Sequence, residues 1–183
     1  MEIKGGRDME YHIIEKQEIE IVGAIRNFEK CTTNAKINNW QEKNIDIWLF
    51  WDEFLNKGMD KKIGNEYKLY RPPFWRMCAR QTLDNGENVI SIGAEADGKE
   101  YKDLDTFKIP ASTWVVFETK EFLSKDNNTI ESLMKVINTE WLPTSGYEKS
   151  MNYEIQVYCP EEEKSNKCGF EVWIPVRKRK ILN

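Results

Sequence analysis

Phe170-Glu171-Val172-Trp173-Ile174-Pro175-Val176, taken with the earlier run Tyr153-Glu154-Ile155-Gln156-Val157-Tyr158, decides the fold. Successive side chains of a strand point to opposite faces. Phe170, Val172, Ile174 and Val176 therefore form an apolar set, while Glu171 and Trp173 point the other way with Pro175. In the earlier run, Tyr153, Ile155 and Val157 share one face, and Glu154, Gln156 and Tyr158 share the other. The aliphatic faces need a helix to pack on. Placed together on one hairpin, the two remaining sets gather carboxylate, amide, phenol and indole. Open solvent is a poor setting for Trp173 and Tyr158. A solid core is a poor setting for Glu171, because a buried carboxylate without a partner is costly or shifts its pKa. A cleft with ring walls and an orienting acid satisfies both constraints. It suits a cationic or amine-bearing guest, each cation–π contact adding roughly 0.5–2 kcal/mol. A plainer alternative stays open, with Glu171 at a strand end pairing with a nearby Lys or Arg.

Upstream, Leu142-Pro143-Thr144-Ser145-Gly146-Tyr147 ends a helix whose apolar face is Ile130, Leu133, Met134, Ile137 and Trp141. Asn128 with Glu131 makes an Asn variant of a capping box at its start. An extended run covers 106–119, including Trp114-Val115-Val116-Phe117, after a charged loop over 97–105. Strand-like runs at 66–71, 75–82 and 88–95 precede it, with Asp84-Asn85-Gly86 as a turn. A helix is expected over 35–57. There Ile37, Trp40, Ile47, Trp48, Trp51, Phe54 and Leu55 recur at helical spacing, and Gly58 supplies the stop. Trp40, Trp48 and Trp51 are assigned to core. From Tyr11 the pattern is extended through Ile25, with Gly23 read as a bulge. Residues 1–9 read as a linker or disordered N-terminus, and 10–183 as one domain.

Strand, helix, strands therefore occurs twice. That order implies an α+β fold of duplicated β-α-β-β halves, two curved antiparallel sheets with a helix on each. A central groove between the halves is a usual place for a ligand. Further pocket candidates are Tyr147, Trp114, Tyr70 and Trp75, the last two flanking Pro72-Pro73.

Composition narrows the function. The chain has 183 residues, 40% hydrophobic and 32% charged, a folded rather than disordered mixture. Its net charge of −4 disfavours direct gripping of duplex DNA, where phosphate contacts dominate affinity. Arg177-Lys178-Arg179-Lys180 reads as a solvated basic tail. No stretch approaches the roughly 20 apolar residues of a membrane span, and the first residues show no signal-peptide core. With Cys31, Cys78, Cys159 and Cys168 in no C-x-x-C pair and His12 the single histidine, neither a metal site nor a cofactor is expected. Reduced thiols and a cytoplasmic location are expected instead.

The segment Trp141-Leu142-Pro143-Thr144-Ser145-Gly146-Tyr147 resembles the "W-L-P-x-S-G-Y" turn of gyrase-inhibitor-like effector-binding domains. Glu171-Val172-Trp173-Ile174-Pro175-Val176 is similar to their closing "E-I-W-I-P-V" strand. Met9-Glu10-Tyr11-His12-Ile13-Ile14 looks like their first strand, and Lys4-Gly5-Gly6 like the connector to a helix-turn-helix module in AraC-type transcription regulators. The resemblance spans about 9–177. It implies a small-molecule sensor domain that binds small, often hydrophobic or cationic, ligands and reaches DNA only through an attached helix-turn-helix module. It also implies that Glu171 is the pocket acid. The family's second acid, in "E-x-Y", is Gln156 here, a departure for which Glu154 is the nearby substitute.

The expected role is therefore binding rather than catalysis. Two alternatives are weighed beside it. One is a hydrolase of reactive small molecules using Glu171 as base and Tyr158 as hydrogen-bond donor. The other is a free-standing protein-inhibiting partner.

Overall fold

A computed structural model describes residues 10–29, 45–70, 76–119, 128–158 and 170–180. Among the described residues nine strands form one hydrogen-bonded sheet. They are β1 (Glu10–Lys16), β2 (Ile19–Phe28), β3 (Arg76–Thr82), β4 (Asn88–Glu95), β5 (Asp105–Ile109), β6 (Ser112–Thr119), β7 (Tyr147–Lys149), β8 (Tyr153–Tyr158) and β9 (Phe170–Lys178). Their order is β1-β6-β9-β8-β3-β4-β2-β5, with β7 also paired to β9, and every pairing is antiparallel. Two helices of useful length, α1 (Ile45–Asn56) and α2 (Asn128–Val136), accompany it. The α+β class follows the sequence reading, but the two expected sheets are continuous. Arg76–Gln81 of β3 pair with Tyr158–Tyr153 of β8 and zip the halves together.

Both helices cover the same side of this sheet. Under α1, Phe50 and Phe54 pack on Val22, Cys78, Ile90, Ile92 and Ala94. Beside α2, Ile130, Leu133 and Met134 pack on Val115, Phe117, Val172 and Ile174. The opposite side, free of helix among the described residues, carries a third cluster drawn from both halves, including Ile19, Ile21, Met77, Phe107, Trp114, Val116, Ile155, Val157 and Trp173.

That third cluster exists because the sheet is strongly curled. From β1 to β2 the order takes six strand steps, about 29 Å in a flat sheet. Yet Gln17 and Glu18 alone join the two strands, a span of at most about 11 Å between the flanking Cα atoms. Pro110 and Ala111 join β5 to β6 in the same way. The helix-free side is thus the inside of a trough. Gly23 and Gly93 face each other on it. A Cβ on Gly23 would lie 2.0 Å from the Ile92 carbonyl oxygen, and one on Gly93 2.0 Å from that of Val22. The ladder runs unbroken through the pair, so Gly23 marks a close backbone approach rather than a bulge.

Several local expectations change. The 106–119 run is two strands, broken at Pro110 by the missing N–H. The 66–71 strand is absent over the described residues. A widened turn spans Lys62–Glu66, and the chain then passes through Lys68 at φ 54°. On α1, Phe50 and Phe54 face the sheet, while Trp48, Leu49 and Leu55 are 48%, 52% and 45% exposed. Trp48 is therefore not core, because the buried arc is centred on Phe50 and Phe54. The predicted helix portion 35–44, Trp40 within it, the side chains of the capping pair Asn128 and Glu131, and residues 1–9 lie outside what the structure describes.

Candidate functional site

Register decides which hairpin residues meet. β8 and β9 pair Ile155 with Trp173, Gln156 with Val172 and Val157 with Glu171. Directly opposed residues of an antiparallel pair share a face. Glu171 and Trp173 therefore stand on the inner face beside Ile155 and Val157, while Glu154, Gln156 and Tyr158 stand on the helix side. The single acid-and-ring face expected from alternation is two faces. The phase between the strands depends on the connection between them, which alternation within each strand does not encode.

On the inner face, Trp173 donates from Nε1 to Glu171 Oε2 at 2.7 Å. Its ring meets that of Trp114 edge-on at 6.3 Å. Trp114 arrives there because β6 pairs it with Ile14 and Pro175. Glu118, two positions beyond Val116 on the same face of β6, lies directly opposite Glu171. His12 of β1 closes the group, its Nδ1 3.0 Å from Glu118 Oε1. Burial drives the Glu171 carboxyl above the ordinary carboxylate range. The Trp173 N–H opposes that shift, the Glu118 charge adds to it, and His12 offsets it. Lys16, at the end of β1, places its Nζ 5.7 Å from the Trp173 ring centroid and 3.1 Å from Glu95 Oε1.

The trough is not open along its floor. Trp114 is fully buried and Trp173 is 3% exposed, so these rings fill the space they were expected to line. Curling brings the ends of the sheet close enough for its inner side chains to pack on one another. Cavities of about 370 and 210 Å³ exist, neither lined by Glu171 or Trp173. Two buried polar atoms, Trp114 Nε1 and Ser91 Oγ, have no hydrogen-bond partner among the described residues. Both belong to inner-face positions. Leaving such a group unsatisfied costs roughly 1–3 kcal/mol.

The other candidates serve the helix side. Tyr158 donates to Gln156 Oε1 at 2.6 Å, and Gln156 Nε2 donates to Glu154 Oε1 at 2.8 Å. This chain runs along the β3–β8 seam, with the Tyr158 ring edge-on to Trp51 of α1 at 5.5 Å. Burial raises the Tyr158 phenol well above its ordinary value and pushes the neighbouring Cys78 thiol up to about 12, so neither is a reactive group. Glu171 and Tyr158 lie on opposite faces and cannot act as a base–donor pair. Tyr147 stacks on Trp141 at 6.0 Å within the α2 cluster.

Tyr70 leans on Gly64 and donates to Asp60 Oδ1 at 2.5 Å. Asp60 in turn takes two hydrogen bonds from Arg76, 2.5 Å from Nε and 3.0 Å from Nη2. Tyr70 thus buttresses a structural ion pair. Tyr70→Phe should lower stability by about 1 kcal/mol in urea denaturation. Trp75 lies outside the described residues. Alternation in the last hairpin does not reach Glu118, His12 and Lys16; the sequence signal for Glu118 is its alternation with Trp114 and Val116 in one strand.

Among the described residues no group of three or more His, Cys, Asp or Glu side chains is placed to hold a metal ion. No helix there is long and apolar enough to cross a membrane. The described fold is thus a curled antiparallel sheet with helices on its outside and an acid with indoles on its inside. The family model of the integron-associated effector-binding protein Cass2 matches residues 12–176, and the chain belongs to that family. It is a family of ligand-binding effector domains rather than enzymes.

The chain is also similar to SAV2435, solved bound to tetraphenylphosphonium, with a TM-score of 0.69, 16% identity, and coverage of 92% of this chain and 94% of that one. A Staphylococcus aureus MU50 protein assigned to bacterial transcription regulation gives 0.66, 17%, 92% and 99%. An integron cassette protein from the mobile metagenome of Vibrio cholerae gives 0.52, 15%, 93% and 100%. At these identities the structures show a shared fold. The gyrase-inhibitor-like effector-binding domain suggested by the W-L-P-T-S-G-Y and E-V-W-I-P-V segments is the class the comparisons support. No match to a curated protein was found.

Proposed function

We propose that the chain is a small-molecule sensor whose ligand is a lipophilic organic cation held on the inner face of the trough. Glu171 is the counter-charge, and Trp173 and Trp114 are the ring walls. The observation that carries this reading is the half-buried Glu171 carboxylate, hydrogen-bonded to the indole beside it and facing Glu118 across one strand. A cation entering there meets two carboxylates and two ring systems at once, and pairing relieves the cost of holding Glu171 ionised away from water. Tetraphenylphosphonium in SAV2435 is a ligand of this chemistry on the same fold.

Because Trp173 and Trp114 are packed together, the guest must part them. Binding then favours an opened sheet over the closed one, and that difference in affinity is what a sensor needs. In the wider reading the domain is cytoplasmic and reports to DNA through an attached helix-turn-helix module of a regulator, AraC-type in the sequence resemblance. Gln156, in the family's second acid position, faces the helices, so Glu118 takes the part of the second carboxylate.

Tetraphenylphosphonium added to the protein should quench Trp emission saturably and raise the melting temperature. Neither response at millimolar concentration would overturn the proposal. Its pH dependence follows from Glu171. Only the ionised carboxylate attracts the cation, and the carboxyl of the free protein titrates above the ordinary range. Affinity should therefore fall as pH drops through that raised value, starting above pH 4.5, the usual centre for Glu. Calorimetric titrations between pH 7.5 and pH 5 check this.

A further inference from the structure

The ring face that such a guest would use already carries a cation. The Lys16 ammonium lies 5.7 Å from the Trp173 centroid, with Glu95 oxygens at 3.1 and 3.3 Å. Lys16 ends β1 and Glu95 ends β4, five strand steps away in the sheet order. In a flat sheet that separation is about 24 Å, beyond the reach of two side chains, so the pair forms only across the curled trough. Glu171 holds the same indole from its N–H edge. Trp173 thus sits between a resident cation on its face and a carboxylate at its rim.

We infer that Lys16 is a specificity-determining residue of the inner-face site, a built-in competitor whose ammonium must leave Trp173 before an organic cation can dock there. This rests on the reading of that face as a cation site. The Lys16 and Glu95 side chains are 32% and 43% exposed, so water can take over both charges once they separate. Displacement then depends on what the guest offers the ring. A primary alkylamine is a compact, strongly hydrated charge like the lysine ammonium itself and gains little by replacing it. An arylated phosphonium or quaternary ammonium is weakly hydrated and brings apolar surface that lysine lacks. Lys16 accordingly sets a threshold that admits bulky lipophilic cations and turns simple amines away.

The test compares tetraphenylphosphonium and n-hexylamine on wild type, Lys16→Met and Lys16→Gln, by calorimetry at pH 7.5, with thermal melts to confirm folding. Lys16→Met should bind tetraphenylphosphonium five- to tenfold more tightly than wild type, and should bind hexylamine measurably where wild type does not. Lys16→Gln, which removes the charge without adding an apolar end, should show the same direction and keeps the test valid if Lys16→Met folds poorly. Wild-type binding with unchanged or weaker affinity in both variants overturns the role of Lys16 and leaves the site reading standing. Absence of phosphonium binding in all three proteins overturns both.

Discussion

Glu171→Gln should bind tetraphenylphosphonium about 10- to 100-fold more weakly than wild type, roughly 1.4–2.7 kcal/mol, while melting no lower. The two halves of this prediction come from one fact. Burial raises the Glu171 carboxyl, so its folded pKa lies above its unfolded one. A raised carboxyl contributes stability that is fully present below the unfolded value and is lost as pH rises through the folded value. Above that raised value Glu171 is ionised at some expense to the fold. Glutamine removes the charge and still offers an oxygen to the Trp173 N–H, now 2.7 Å from Glu171 Oε2. Stability should hold or rise, and the attraction for a cation should go. Such an exchange of stability for function is usual at binding sites. Scanning fluorimetry and a quenching titration on the same samples check both halves. Equal affinity in the two proteins would remove Glu171 from the site.

Gly93→Ala should cost about 3 kcal/mol, lowering the melting temperature by roughly 6–12 °C for a domain of this size. Its Cβ would lie 2.0 Å from the Val22 carbonyl oxygen and 2.7 Å from the Val22 carbonyl carbon. Both are backbone atoms of the adjacent strand and cannot swing aside. Gly23, directly opposite, meets the Ile92 carbonyl in the same way. Either substitution forces β2 and β4 apart at this pair. A flattened sheet would also separate Lys16 from Glu95. Urea denaturation measures the loss. A Gly93→Ala protein as stable as wild type would mean that β2 and β4 do not need this close approach.

The alternations of β8 and β9 were legible residue by residue, as were α2, the core part of α1 and the α+β class. Glu171 and Trp173 were legible as neighbours on one face of their strand, whereas Trp114, a separate candidate in the sequence, meets Trp173 only through the β6–β9 pairing. The phase between β8 and β9 was not legible, and it moved Glu154, Gln156 and Tyr158 to the helix side. A shift of one residue reverses every side chain, and nothing within either strand reports it. The single sheet was hidden for a similar reason, because the β3–β8 pairing joins residues more than seventy positions apart. Tyr70 and Tyr147 looked like pocket aromatics beside Pro and Gly turns. Their partners, Asp60 and Trp141, show them holding the helix-side structure in place. Glu118 is not part of the last hairpin; it completes the inner face from β6, the strand on the other side of β9.

The most direct test is a crystal structure of the chain with tetraphenylphosphonium. The inner-face site predicts the phosphonium within the trough, a phenyl ring against Trp173, the phosphorus near Glu171 and Glu118, and Lys16 moved off the indole. Density for the cation on the helix side beside Tyr158 and Gln156, or only at the surface by Arg177 and Arg179, would contradict it.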